Sequence, residues 1–239
     1  MRGEQEKICF DKIKKQACKK GDMRLSSLWE SAVANPDSNA FPDFVRPGGF
    51  IEHFQVTAAN ETKKGSKHNI AMNVFERDSK IVFEQESKEF LRLPPRQNAP
   101  AGTYGLHVTK HIMPTPDYSY ENFVRSFKRN FENHIRHLQD YNGDKAIGVF
   151  LIELAGAHIT IEQNGRYTEA YRMAHDCSLL SYIYGFSEQV QYVVFADGDD
   201  YELIETKNIP TALRHIPQNI HCGVGRYLNI KLNLFIDLR

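Results

Sequence analysis

The chain has 239 residues, 41% apolar and 25% charged, the balance of an ordinary globular protein with ample material for a core. Its 30 basic and 30 acidic residues cancel, which argues against an all-round basic nucleic-acid coat and leaves only a local basic groove open. The longest apolar run, Ala146 to Ile152, falls far short of the roughly 20 residues that cross a bilayer. The charged start Met1-Arg2-Gly3-Glu4-Gln5-Glu6-Lys7 is unlike a signal region, so a soluble, cytoplasmic protein without membrane contact is expected.

From Glu4 to about Ala34 the chain reads as helix. Ile8, Phe10, Ile13 and Ala17 approximate one face, Gly21-Asp22 interrupts, and Leu25, Leu28, Trp29, Ala32 and Val33 resume the 3.6 period. Asn35-Pro36-Asp37-Ser38-Asn39 stops it. A strand-rich block follows: 42–45 and 50–57 flank the turn Arg46-Pro47-Gly48-Gly49, with further short strands expected at 69–75, 80–83 and 90–93. The stiff stretch 94–102, rich in proline, is the candidate linker or lid in what otherwise reads as a single α/β domain over 1–239. Leu106-His107-Val108-Thr109 resumes β composition. Tyr118 to Tyr141 carries the clearest helical period, with Phe123, Phe127, Phe131 and Ile135 stepping by four and Asn142-Gly143 ending it. Strands at 147–154 and 157–162, a helix near 179–186, a hairpin of 190–196 with 201–205 and a final strand at 227–236 complete the pattern. This order predicts an α/β (α+β) fold, a mixed central sheet flanked by helices.

The hairpin carries the chemistry. With 46–49 as the loop, Val45 faces Phe50, Phe44 faces Ile51, and Asp43 sits opposite Glu52. Side chains so paired have Cβ atoms roughly 4.5–5.5 Å apart, where like charges repel. Their face is otherwise apolar: Phe41, Val45, Phe50 and Phe54. Two carboxylates in such a place call for a shared proton, a basic partner such as Arg46, or a divalent cation, which satisfies both at once. A one-residue slip would put the acids on opposite faces instead.

Pro42-Asp43, a turn, and the strand Phe50-Ile51-Glu52-His53-Phe54 resemble the PD-(D/E)xK nuclease superfamily, whose fold is restriction-endonuclease-like. A helix before the hairpin and a long helix after the central strands are similar to that fold too. The resemblance implies that Asp43 and Glu52 bind Mg²⁺ or Mn²⁺ and that a lysine two residues after the second acid helps activate water. That position holds Phe54. The water-activating role then passes to Gln55, although it points away from Glu52, or to Lys63 or Lys64 in the basic segment Glu61-Thr62-Lys63-Lys64-Gly65-Ser66-Lys67-His68. In a nuclease Lys63, Lys64 and Lys67 would contact phosphates, with Arg125, Lys128 and Arg129 extending the basic surface; otherwise they form a solvated loop. The expected function is metal-dependent hydrolysis of nucleic acid, DNA foremost. The alternative is a non-catalytic protein of the same fold whose acidic hairpin captures a basic ligand or partner. Oligomeric state, a homodimer included, stays open.

Other constellations are weaker. Cys9, Cys18, Cys177 and Cys222 form no Cys-x-x-Cys pair and read as reduced, mostly buried thiols. His175-Asp176-Cys177 has the residue types of a cysteine hydrolase, but sequence neighbours rarely form such a site. His134 and His137 stand three apart on a helix, His107 and His111 would share a strand face if that strand continues past Thr109, and His53 is a further candidate for a histidine-based metal site. Asp197-Gly198-Asp199-Asp200 reads as a hairpin turn, and Gly223-Val224-Gly225 lacks the setting of a nucleotide loop.

Overall fold

A computed structural model describes residues 4–37, 40–60, 74, 77, 78, 81, 84, 85, 88, 103–112, 118–163, 166–198, 200–218 and 220–235. The N-terminal period yields two helices rather than one, α1 (Glu4–Lys20) and α2 (Met23–Trp29). Asp22 starts the second by accepting from Leu25 N–H at 3.0 Å. Neither helix reaches Ala34, because Val33–Ala34 is extended and forms β1. Val33 is 61% exposed, so the residue that continued the apolar period does not face the core.

The hairpin joins β2 (Phe44–Arg46) to β3 (Gly49–Thr57) through Pro47-Gly48. Proline suits the first turn position and Gly48, at φ +76°, supplies the positive angle needed at the second. Phe44 pairs with Ile51, Val45 with Phe50 and Arg46 with Gly49, the register expected from the sequence.

Further along the chain come β4 (Thr103–Ile112), α3 (Tyr120–Asp140), β5 (Ile147–Ala155), β6 (His158–Gln163) and β7 (Arg166–Ala170). They are followed by α4 (Cys177–Tyr184), β8 (Tyr192–Asp197), β9 (Asp200–Glu205), α5 (Ile209–Ala212) and β10 (His221–Phe235). The strands expected at 69–75 and 80–83 are not found where that region is described. Residues 74, 77, 78, 81, 84, 85 and 88 are helical, and Val74 and Ile81 are both exposed. The strand expected at 90–93 and the loop at 94–102 lie outside the described residues.

Two compact units result, one of Met1–Ala58 with Ser119–Val224 and another of Ala59–Tyr118 with Gly225–Arg239. In the second, β4 and β10 pair antiparallel from Thr103↔Phe235 to Ile112↔Arg226. The first holds a six-stranded mixed sheet in the order β1-β2-β3-β5-β8-β9. Its centre is parallel, β3 to β5 to β8, and its edges are antiparallel hairpins.

Helices cover both faces, which is why β5 and β8 read as nearly continuous apolar runs. On one side α1 and α2 place Phe10, Ile13, Leu25 and Trp29 against Phe44, Ile51, Val149, Leu151 and Val194. On the other, α3 lays its phenylalanine stripe on the sheet: the ring of Phe131 meets Phe54 and Phe150, and that of Phe123 meets Phe195. Ser119 caps α3 by accepting from Asn122 N–H at 3.1 Å. Among the described residues no helix is long and apolar enough to cross a membrane.

Candidate functional site

Alternation along the hairpin decides which side chains meet. Phe44 and Ile51 turn toward α1, so Asp43 and Glu52, one step away on each strand, turn toward α3. Each carboxyl is tied to the other strand's backbone. Glu52 Oε2 accepts from Asp43 N–H at 3.0 Å, and Asp43 Oδ2 accepts from His53 N–H at 2.8 Å. Asn35 fixes the approach, donating from its backbone to Asp43 O and from its side chain to Pro42 O, both at 2.8 Å. Glu52 is buried and Asp43 half-buried.

These surroundings disfavour ionisation. Burial, then the charge of Glu52, pushes the Asp43 carboxyl up to about 7. Burial raises Glu52 to about 7 as well, outweighing the N–H of Asp43. Glu6 of α1 adds a third negative group near both carboxyls, and its Oε2 is buried without a hydrogen-bond partner. Arg46, the nearest basic candidate by sequence, is engaged elsewhere, donating to Leu28 O at 2.9 Å. Among the described residues no lysine or arginine bonds either Asp43 or Glu52.

The remaining partner of Glu52 comes from α3. His134 Nδ1 lies 2.7 Å from Glu52 Oε1, and the imidazole stacks on Phe54 with centroids 4.4 Å apart. Burial depresses His134 to about 4, so at neutral pH the ring is uncharged and the contact is a hydrogen bond. His137 stands one turn on, its ring 5.8 Å from that of His134.

Gln55 is on the opposite face of β3 from Glu52. Its amide donates to Glu153 Oε2 at 2.8 Å, alongside His53 Nε2 at 3.3 Å from the same oxygen. Assigning Gln55 to water activation beside Asp43 and Glu52 therefore does not fit: the sheet lies between. Lys63, Lys64 and Lys67 lie outside the described residues. Phe54, at the expected lysine position, is buried against α3.

Sequence reasoning missed Glu6, Glu153 and the contact of His134 with Glu52. Each comes from an element distant in sequence, and only the parallel register Gln55↔Glu153 and the docking of α1 and α3 bring them together. Among the described residues, the group of three or more metal-ligating side chains whose donor atoms lie within 4.8 Å of one another is Cys9, His53 and Glu153. The other motifs resolve structurally. Asp176 caps α4 and accepts the hydroxyls of Tyr171, at 2.7 Å, and Tyr120. Asp197 pairs with Asp200 across a hairpin whose Gly198 has φ +59°. Comparison with models of known families, with curated proteins and with solved structures finds no match for the chain.

Proposed function

We propose that the chain is a divalent-metal-dependent phosphodiesterase acting on DNA, with Asp43 and Glu52 as ligands of Mg²⁺ or Mn²⁺. The observation that carries this reading is the facing pair itself, two carboxyls on a mostly apolar face with no described lysine or arginine bonded to either and only the uncharged His134 beside Glu52. A hard divalent cation relieves the repulsion and takes oxygen donors with water completing its shell. Bound there, such an ion would polarise a phosphate and acidify a coordinated water. His134, neutral and bonded to Glu52, orients that carboxyl from the same side of the sheet. Lys63, Lys64 and Lys67 supply phosphate contacts.

Phe54 in place of the motif lysine favours a second reading, a non-catalytic protein of this fold whose acidic pair binds a basic partner. One set of assays separates the two. On the first reading, Mn²⁺ or Mg²⁺ supports nicking or degradation of DNA, chelator abolishes it, and Asp43→Ala and Glu52→Ala each remove it. Gln55→Ala retains it. Charge reversal at Lys63, Lys64 and Lys67 weakens DNA binding and flattens its salt dependence. Binding without cleavage rejects the enzyme. Neither binding nor cleavage of single- or double-stranded DNA or RNA at low salt rejects the nucleic-acid reading altogether.

A further inference from the structure

Behind the acidic pair, on the α1 side of the sheet, a different set of donors converges. We propose that Cys9, His53 and Glu153 form a transition-metal site of the class that takes Zn²⁺, independent of the Asp43–Glu52 pair. The three residues belong to three elements, α1, β3 and β5, and their donor atoms lie within 4.8 Å of one another. His53 Nε2 and Glu153 Oε2 are 3.3 Å apart. Two ligands about 2.0–2.1 Å from a tetrahedral Zn²⁺ stand about 3.3–3.4 Å apart, and a thiolate at about 2.3 Å adds slightly longer edges. Two of the donors thus already have the spacing of adjacent tetrahedral corners, and Cys9 Sγ, within 4.8 Å of both, completes the set by moving inward to edges of about 3.5 Å.

The donor set suits this class of metal and not Mg²⁺. Thiolate and imidazole select Zn²⁺ and its neighbours, whereas Mg²⁺ prefers oxygen alone. Charge balances as well, since a thiolate and a carboxylate together neutralise one divalent cation, which lets a buried site hold it. Cys9 is 1% exposed and the His53 side chain 3%, but that of Glu153 is 20% exposed and Gln55 beside it is open to solvent. The ion gains access on that side, with a fourth position left for water. Gln55, donating to Glu153 Oε2, orients the carboxylate from outside the donor set.

A cysteine nucleophile activated by His53 is the competing use of these residues, and it fails on access and on charge. Burial and the nearby Glu153 push the Cys9 thiol up to about 12, so the metal-free side chain is a protonated, inaccessible thiol. Metal binding displaces that proton into solvent, Cys9–SH giving Cys9–S⁻ on the ion, while a neutral His53 that carries its proton on Nε2 takes it on Nδ1 instead, freeing Nε2 as the donor.

Co²⁺ is the probe, because thiolate ligation gives it an intense near-ultraviolet absorption that oxygen and nitrogen donors do not. The chelator-treated full chain should bind one Co²⁺ with this band, lose it to one equivalent of Zn²⁺, and keep it in excess Mg²⁺. Cys9→Ser, nearly the same size, should remove the band and weaken Zn²⁺ binding by at least about 100-fold, since even outer partners of a metal site are worth about 10–100-fold. Glu153→Gln, a partly exposed side chain, should weaken Zn²⁺ binding comparably and serves if the serine variant does not fold. The Asp43→Asn/Glu52→Gln double variant should keep the band in full. Absence of the band in the wild type overturns the proposal, as does its survival in Cys9→Ser or its loss in a folded double variant.

Discussion

Replacing Asp43 by Asn should stabilise the metal-free protein, and more at high pH than at low. The folded carboxyl is raised from 3.8 to about 7, so between these values the native state holds a proton the unfolded chain has released. Stability contributed by the protonated group is full below about pH 4 and is lost as pH rises through about 7. At about 1.4 kcal/mol per pH unit the shift amounts to about 4 kcal/mol, and the partial exposure of Asp43 reduces this to about 2 kcal/mol. Asn keeps an oxygen for His53 N–H and never ionises. It should therefore gain about 2 kcal/mol over wild type at pH 8 and under about 1 kcal/mol at pH 5, or about 4–8 °C in Tm at pH 8. His134, depressed to about 4, acts in the opposite sense, adding stability as pH rises between about 4 and 6.5. The charge of Asp43 raises it, so the Asn variant holds it lower and the two proteins differ in this slope at pH 5, whereas at pH 8 the ring is neutral in both. Thermal and urea unfolding in chelator from pH 5 to 8 measures it. Adding Mg²⁺ or Mn²⁺ at pH 8 should raise the wild-type Tm and leave that of the Asn variant nearly unmoved. An Asn variant less stable than wild type at pH 8 would refute the reasoning, because it would mean an ionised Asp43 with a cationic partner.

Two further outcomes test the scaffold. Phe131→Ala opens a cavity among Phe54, Phe127 and Phe150 and should cost about 3–5 kcal/mol in urea unfolding without changing the slope; a loss under about 1 kcal/mol would mean that α3 does not pack there. Asp176→Ala removes the cap of α4 and strands the buried Tyr171 hydroxyl, for an expected loss of about 3 kcal/mol or more by the same measurement; near-neutral behaviour would contradict those bonds.

Where local chemistry decided the conformation, the sequence was a sufficient guide. Phe123, Phe127, Phe131 and Ile135 announce α3 through their spacing, and Pro47-Gly48 places the turn that puts Asp43 opposite Glu52. Sequence failed where pairing partners decide. Val33 continues a helical period yet joins a strand, because Val45 lies beside it. Val74 and Ile81 fall in segments expected as short strands, yet both positions are helical. For the same reason half of the candidate chemistry was hidden. His53 was visible as a candidate ligand, but Cys9 lies 44 residues before it and Glu153 100 residues after it, and only tertiary packing joins them.

The parity of β3 ties its two faces together over time. Even-numbered Glu52 and Phe54 belong to one chamber and odd-numbered His53 and Gln55 to the other, so inserting or deleting a single residue between Gly49 and Ile51 would exchange their tenants. Point substitutions can alter either chamber alone, but a length change in this stretch would damage both in one event. Through descent, the strand should therefore tolerate changes of residue far more readily than changes of length.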